Sequence, residues 1–197
     1  MKIREYIMVK DEFNHPSLKE VKNFDWKGNL AYTDEIHKML KEIFFMDKLT
    51  TEVSYVISFD HVKKAKGICK VGHGNPNETM TPLESVFTFL LLTGAYSFVL
   101  VHNHVSEMVD ASFADQIISS NANTIADMFN MEFIGHMIVH PHGYTVDGGV
   151  VDITSTDNDD DDDLPYEILP NGNAVAYVFG NRIEGEVESI KRILGVC

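Results

Sequence analysis

The sequence predicts an α/β protein, a sandwich of helices around a mixed β-sheet, and three observations carry this prediction. Short apolar runs rich in β-branched and aromatic residues alternate along the chain with longer segments of helical periodicity. Clusters of glycine, asparagine and proline separate these segments, as expected of turns. The 197 residues suffice for one domain with a substantial core and a small addition. Alternation of this kind is typical of helices packed on a central sheet.

The individual elements can be assigned in chain order. Residues 1–30 are polar and weakly periodic, which leaves open an irregular arm or an extra strand. A helix is predicted to begin at Thr33, because apolar residues then recur at helical spacing as far as Phe44. The remaining core elements are predicted strands near 52–60, 67–71, 97–104 and 132–140, helices near 82–94 and 113–130, and a closing strand at 144–146.

A run of aspartates from Asp157 to Asp163, broken only by Asn158, separates the predicted core from the last part of the chain. Like charges in series repel one another, so residues 156–164 are predicted to form an extended linker. Calcium binding is the functional alternative, but the run lacks the central glycine and terminal glutamate of an EF-hand loop. The linker would divide a main domain, residues 31–155, from a C-terminal segment, residues 165–197.

The C-terminal segment is predicted to form a strand followed by a helix. Residues 174–179 are apolar, and a helical stripe follows at Ile183, Val187, Ile190 and Leu194, although Gly185 weakens it. So short a segment cannot comfortably bury a core of its own. We therefore expect it to dock on the main domain or on a partner.

Composition excludes some classes of partner and location. The net charge of −14 disfavours nonspecific nucleic-acid binding, and the basic cluster at 63–66 is better explained as a solvated turn. No apolar stretch approaches the length of a membrane span, and the N-terminus lacks a signal-peptide core. Cys69 and Cys197 do not suggest a disulfide framework. These observations predict a cytoplasmic protein with no membrane partner.

The residues with the clearest chemical potential form the pattern His-x-His-x7-Ser-x2-Asp, from His102 to Asp115. His102 and His104 end a predicted strand, where residues two apart face the same side. Ser112 and Asp115 share the first turn of the following helix. Two imidazoles and one carboxylate leave a fourth tetrahedral position open, as in catalytic zinc sites. The alternative for Ser112 and Asp115 is a capping box, but the two pieces in this order favour a metal site.

The other histidines have less specific surroundings. His140 and His142 form a second His-x-His pair, but Pro141 between them disfavours a continuing strand, so this pair is interpreted as a turn. His136 lies in an apolar strand and is interpreted as a core residue or as a partner of a metal ligand. His73 lies in a glycine-rich loop.

The chain resembles the JAB/MPN (JAMM) metallopeptidase superfamily, and more narrowly its RadC-like branch. The family motif is a glutamate followed, some fifty residues later, by the pattern found here from His102 to Asp115. The resemblance covers roughly residues 30–150 and implies a JAB/MPN-like, cytidine-deaminase-like fold. Supporting matches are Thr50-Thr51-Glu52-Val53, Thr81-Pro82-Leu83-Glu84 and Gly135-His136-Met137-Ile138-Val139. Departures from the family pattern are Val105, Glu107, Ala111 and Gly135, the first three in a loop that affects substrate fit more than metal binding.

The resemblance implies a role for each residue of the site. His102, His104 and Asp115 would hold a zinc ion. Glu52 would accept a proton from the attacking water and pass it to the leaving group, as a general base does. Ser112 would donate a hydrogen bond to the oxyanion, which stabilises charge that develops only in the transition state.

Three glutamates compete for the role of general base. Glu52 opens the strand pattern of residues 53–59, where its alternative is a solvent-exposed charge. Glu78 lies in a predicted loop. Glu84 lies three residues after Thr81, with a proline between them, which predicts a capping box that would already use its carboxylate. The resemblance selects Glu52.

Two functions remain open and a third is set aside. The first is a zinc hydrolase that cuts a peptide or isopeptide bond in a protein or peptide substrate. The second is a non-catalytic scaffold that uses its surface for partners. A zinc deaminase would need a Pro-Cys-x-x-Cys motif, which the chain lacks. Substrate specificity is expected to come from the loops at 73–80 and 105–111.

Overall fold

The computed structural model describes residues 1–74, 81–106, 110–146, 149–152, 167–169, 173–178, 181–187 and 189. Its main feature is an eight-stranded mixed sheet in the order β2-β1-β4-β3-β5-β6-β7-β8. These strands are β1 (Lys2–Lys10), β2 (Pro16–Asp25), β3 (Val53–Phe59), β4 (Ala65–His73), β5 (Ser97–Asn103), β6 (Glu132–His140), β7 (Gly143–Val146) and β8 (Gly149–Asp152). Three helices accompany the sheet: α1 (Thr33–Phe44), α2 (Leu83–Thr93) and α3 (Phe113–Met128), with a 3-10 turn at Met46–Lys48. The predicted α/β class with a mixed sheet is confirmed.

The first strands form a hairpin on one side of the sheet. β1 and β2 pair antiparallel, and β1 also pairs with β4 in parallel through Glu5 and Tyr6. Gly67 on β4 permits this approach, since a Cβ there would lie 2.6 Å from the Tyr6 ring. Of the two possibilities that the sequence left open for residues 1–30, the structure has strands, and two of them.

The centre of the sheet is formed by β4, β3, β5 and β6. β3 pairs antiparallel with both β4 and β5, whereas β5 and β6 are parallel and joined through α3. All seven residues of β3 and all seven of β5 are buried. Strands buried on both faces read as nearly continuous apolar runs, which is why the sequence identified them readily.

Two apolar clusters cover the two faces of this sheet. On one face, α1 packs its apolar stripe of Ile36, Met39 and Leu40 against alternate residues of β3 and β5 such as Ile57 and Val101. On the other face, α2 and α3 pack against the intervening residues Val56, Phe98 and Leu100. None of the helices in the described part of the chain is long and apolar enough to cross a membrane.

The start of α2 differs from its prediction. The helix begins at Leu83, its N-cap is Pro82, and no side chain caps it. The Thr81 hydroxyl instead lies 2.7 Å from that of Ser54 on β3, in a buried contact. The capping box of Thr81 and Glu84 is therefore wrong, because Thr81 is used to fasten the helix start to the sheet.

The C-terminal segment also differs from its prediction. A three-stranded sheet is formed by β9 (Glu167–Ile168), β10 (Asn173–Val178) and β11 (Asn181–Glu186). β10 matches the predicted strand. The start of the predicted helical stripe at Ile183 is wrong, because Ile183 lies in β11; of the later residues that the structure describes, Val187 and Ser189 are helical. The paired residues Val178 and Asn181 are separated by two residues, the spacing of a tight hairpin. The acidic linker, residues 156–164, and the stripe positions Ile190 and Leu194 lie outside the described residues.

Candidate metal centre

The two histidines of the motif are presented by the end of β5. His102 is 2% exposed and His104 is 8% exposed, and their ring centroids lie 4.9 Å apart. They face the same side because residues two apart on a strand do so. The His104 amide donates to the Val139 carbonyl at 2.8 Å, which holds the backbone beyond the strand end against β6.

The carboxylate of the motif is presented by the first turn of α3. Ser112 is the N-cap of this helix, and it forms a complete capping box with Asp115. The Ser112 amide and hydroxyl donate to Asp115 Oδ2 at 2.8 and 2.6 Å, and the Asp115 amide donates to the Ser112 hydroxyl at 3.2 Å. The capping box therefore exists. It is compatible with a metal site, because its hydrogen bonds orient the Asp115 carboxylate.

The three predicted metal ligands come together. Asp115 Oδ1 lies 3.3 Å from His102 Nε2, and Asp115 Oδ2 lies 3.6 Å from His104 Nε2. One donor atom from each residue falls within 4.8 Å of the others, and all three residues are buried. In the described ranges of the chain this is the only such group of three or more potential ligands. Two imidazole nitrogens and a carboxylate oxygen are a donor set that suits a divalent transition metal.

The electrostatics of the site keep the ligands in their metal-binding forms. Burial, and then the neighbouring His136, lower the pKa of His102 to about 3, although Asp115 opposes the shift. Burial alone would raise the pKa of Asp115, but His104, His102 and Ser112 together hold it well below its usual range. At neutral pH His102 is therefore neutral and Asp115 ionised. Metal ligands must be deprotonated in this way.

A chain of hydrogen bonds supports His102 from behind. Its Nδ1 lies 2.8 Å from His136 Nε2, and His136 Nδ1 lies 3.0 Å from the Ser119 hydroxyl. Ser119 in turn donates to the Asp115 carbonyl at 2.9 Å. The chain leaves Nε2 of His102 facing Asp115, so it fixes the orientation of the ring as partners of metal ligands commonly do. Burial lowers the pKa of His136 to about 4, so this ring too is neutral.

A β-bulge places His136 in this chain. The register between β5 and β6 shifts after Phe98, so that Phe133 pairs with Phe98 but Gly135 pairs with Val99. The extra residue brings His136 to the face that carries His102. Gly135 has a φ of 155°, a conformation that glycine adopts readily. This explains why a glycine is accommodated at a position where the sequence departs from the family pattern.

The three glutamates considered as general base differ in their burial and position. Glu52 is buried, only 9% exposed, just before β3. Ser54 pairs with His102, and extending this register by two residues sets Glu52 opposite His104 on the same face. Glu84 is exposed on α2, and Glu78 lies outside the described residues.

Two contributors to the site were not found from the sequence. Ser119 follows Asp115 by four residues on α3, and this helical spacing was the signal that could have identified it. Asn103 lies between the two histidines with its side chain on the opposite face, where it is fully buried and bonded to the backbone on either side of Glu52. A buried asparagine beside apolar strand residues was the only sign of this role.

Comparison with known proteins agrees with the geometry. The family model described as RadC-like JAB domain matches residues 31–146, which is more than half of the chain and includes every residue of the metal centre. No curated protein matches the chain. The match has the same span as the helices and strands that position the metal ligands, from α1 to β7. The chain therefore belongs to the RadC-like JAB domain family, within the JAB/MPN superfamily.

Proposed function

We propose that the protein is a zinc-dependent metallohydrolase that cleaves a peptide or isopeptide bond with an activated water molecule. The observation that carries this proposal is the buried group of His102, His104 and Asp115, with donor atoms within 4.8 Å of one another. Three protein ligands leave a coordination position for water or substrate, whereas structural zinc sites are closed by four.

Zinc is proposed because its chemistry suits this donor set. A bound zinc ion would supply Lewis acidity, which activates water at neutral pH and polarises a carbonyl group. Two histidines and one carboxylate also bind ferrous iron in other proteins, so the metal must be identified by direct measurement. The neutral state of His102 and the ionised state of Asp115 favour either ion over a proton.

Glu52 is proposed as the general base. It is buried, and the register of β3 and β5 sets it on the side of the sheet that carries His102 and His104. There it would take a proton from the attacking water and deliver it to the leaving nitrogen. Ser112 is proposed to stabilise the oxyanion. Its hydroxyl donates to Asp115 in the structure, so this role requires it to turn from Asp115 towards the substrate.

The proposed substrate is a protein or peptide. Phe113 and Ile117, on the first two turns of α3 beside the metal centre, are 77% and 45% exposed. Apolar side chains exposed next to a polar site suit contact with a peptide chain. The same side chains would also serve the competing function, a scaffold that binds partners without turnover.

The first experiment measures the metal content of the purified protein by elemental mass spectrometry, with zinc and iron both quantified. Zinc-loaded protein is then incubated with internally quenched peptides and with lysine isopeptide-linked analogues. We expect about one zinc per chain and hydrolysis that Glu52→Gln abolishes while zinc remains bound, because only the proton carrier is lost. The matched control is Glu84→Gln, since Glu84 is exposed on α2.

Each other outcome contradicts part of the proposal. Hydrolysis that survives Glu52→Gln would mean that the base lies elsewhere. Iron without zinc would exclude the zinc assignment. If no metal binds at neutral pH, even after incubation with zinc, the scaffold function is favoured.

A further inference from the structure

Asn103 occupies an unusual position in the metal centre. It lies between His102 and His104 in sequence, and because side chains alternate along a strand, it belongs to the opposite face of the sheet. It is fully buried, at 0% exposure. A buried amide must find hydrogen-bond partners, and the partners it finds determine what it holds in place.

Both ends of the Asn103 amide bind the backbone that flanks Glu52. Oδ1 accepts a hydrogen bond from the Val53 amide at 2.9 Å, and Nδ2 donates to the Thr51 carbonyl at 3.2 Å. The Thr51 carbonyl belongs to the peptide unit before Glu52, and the Val53 amide belongs to the unit after it. The orientation of these two units is set by the φ and ψ angles of Glu52, so one side chain restrains both angles.

A third bond strengthens this restraint. The Gly74 amide, directly after β4, donates to the Glu52 carbonyl at 2.9 Å. The regular ladder between β3 and β5 ends at Ser54 and His102, so Asn103 continues the pairing beyond its last residue pair. The backbone of Glu52 is thus tied to the strand that carries two metal ligands.

We propose that Asn103 is a positioning residue: it couples the backbone of Glu52 to the metal-ligand strand and so sets where the Glu52 carboxylate stands relative to His102 and His104. The inference rests on the proposed role of Glu52. Catalytic groups must be held within about 0.5 Å of their productive positions. A displacement of about 1 Å can cost about 100-fold in rate.

A simpler role must be distinguished, in which Asn103 only satisfies backbone groups at a strand end. Ser58 provides a matched control on β3, the strand that follows Glu52, since it is fully buried and its hydroxyl donates to the Gly67 carbonyl at 3.3 Å. Ser58→Ala removes a buried hydrogen bond of β3 without touching the backbone of Glu52. A purely structural effect would be common to both substitutions.

The test compares zinc-loaded wild type, Asn103→Ala and Ser58→Ala by two measurements. The first is the NMR signal of the Glu52 side-chain carboxyl carbon with and without zinc. We expect its zinc-induced change to fall by at least half in Asn103→Ala and to persist in Ser58→Ala, with about one zinc per chain in both. The second is amide exchange at Val53, which should accelerate in Asn103→Ala alone. Should Asn103→Ala fail to fold, Asn103→Ser replaces it, because its shorter hydroxyl cannot bridge both peptide units.

Hydrolysis of the quenched peptides provides an independent measurement. In Asn103→Ala we expect kcat to fall about 100-fold with KM little changed. A wild-type Glu52 signal in folded Asn103→Ala would overturn the positioning role. If instead Glu52→Gln retains activity while the Glu52 signal still depends on Asn103, the proposed base is wrong and the coupling stands.

Discussion

The chain contains two His-x-His pairs, and only one of them lies in the candidate metal centre. His102 and His104 are both buried and face one side at the end of β5. The second pair is divided by the end of β6: His140 is buried, whereas His142 is exposed in the turn before β7. Pro141 between them cannot continue a strand ladder. The predicted turn is confirmed at Pro141 and His142, whereas His140 is the last residue of β6. The His-x-His spacing alone therefore does not define a pair of ligands. Both residues must also lie in one extended stretch of backbone, so that their side chains face the same side.

The charges around the two pairs differ in sign. Asp115, held by its capping box, lies within 3.6 Å of both imidazoles of the first pair. Near the second pair, Lys41 and His140 both act electrostatically on His37 of α1 and lower its pKa. An anion beside two imidazoles favours a bound cation. Among the described residues, the group that could hold a metal ion contains Asp115 and the first pair, not the second.

The largest effect should follow from removing that carboxylate. Asp115→Asn keeps a side-chain oxygen that can accept from the Ser112 amide but lacks the charge, so we expect most bound zinc to be lost with little change in fold. Asp115→Ala should lose zinc as well and also weaken the helix start. Elemental mass spectrometry measures the zinc content of both purified variants. His142→Ala is the control that should keep its zinc. Retention of zinc by Asp115→Asn would mean that the histidines bind with another partner.

A smaller effect should follow from removing the support behind His102. His136→Ala deletes the ring that bonds to His102 Nδ1, so the imidazole loses the partner that orients it. Loss of such a partner typically lowers metal affinity about 10- to 100-fold. Competition with a chromophoric chelator measures the zinc dissociation constant. The affinity of His136→Gln, which can restore one hydrogen bond, should lie between those of wild type and His136→Ala. Equal affinity in wild type and His136→Ala would show that the His102 ring needs no such support.

How far the sequence predicts this molecule depends on the range of the interactions involved. The strands and helices of the core follow local patterns, and so do the candidate ligands His102, His104 and Asp115, which the structure brings together as the sequence predicts. Thr81 escaped prediction because its hydroxyl has a partner 27 residues away, on β3, which competes with the local cap. The start of the C-terminal helical stripe was misassigned because Ile183 has helical spacing from Val187, yet Ile183 lies in β11 and only Val187 of the two is helical. Pairing of β11 with β10 outweighs so weak a helical stripe.

The smallest effect tests the electrostatic contrast at the second pair. Burial, then Lys41 and His140, lower the pKa of His37 to about 4, while the Gly143 backbone opposes the shift. Its pKa in the unfolded chain is about 6.5, so between about pH 6.5 and 4 the unfolded state binds more protons. In zinc-free protein, this histidine therefore makes stability fall with acidification by up to about 1.4 kcal/mol per pH unit.

Replacing His37 should remove this contribution and flatten the fall in stability. Urea unfolding of chelator-treated protein, at intervals from pH 7 to 5, measures the slope for wild type and for His37→Gln and His37→Leu. The two variants should differ in stability at pH 7, because His37 packs on Tyr144 with ring centroids 4.8 Å apart. Their slopes should nevertheless agree and lie below that of wild type, since neither side chain titrates. A wild-type slope in both variants would show that His37 does not resist protonation, and the contrast between the two histidine pairs would then rest on Asp115 alone.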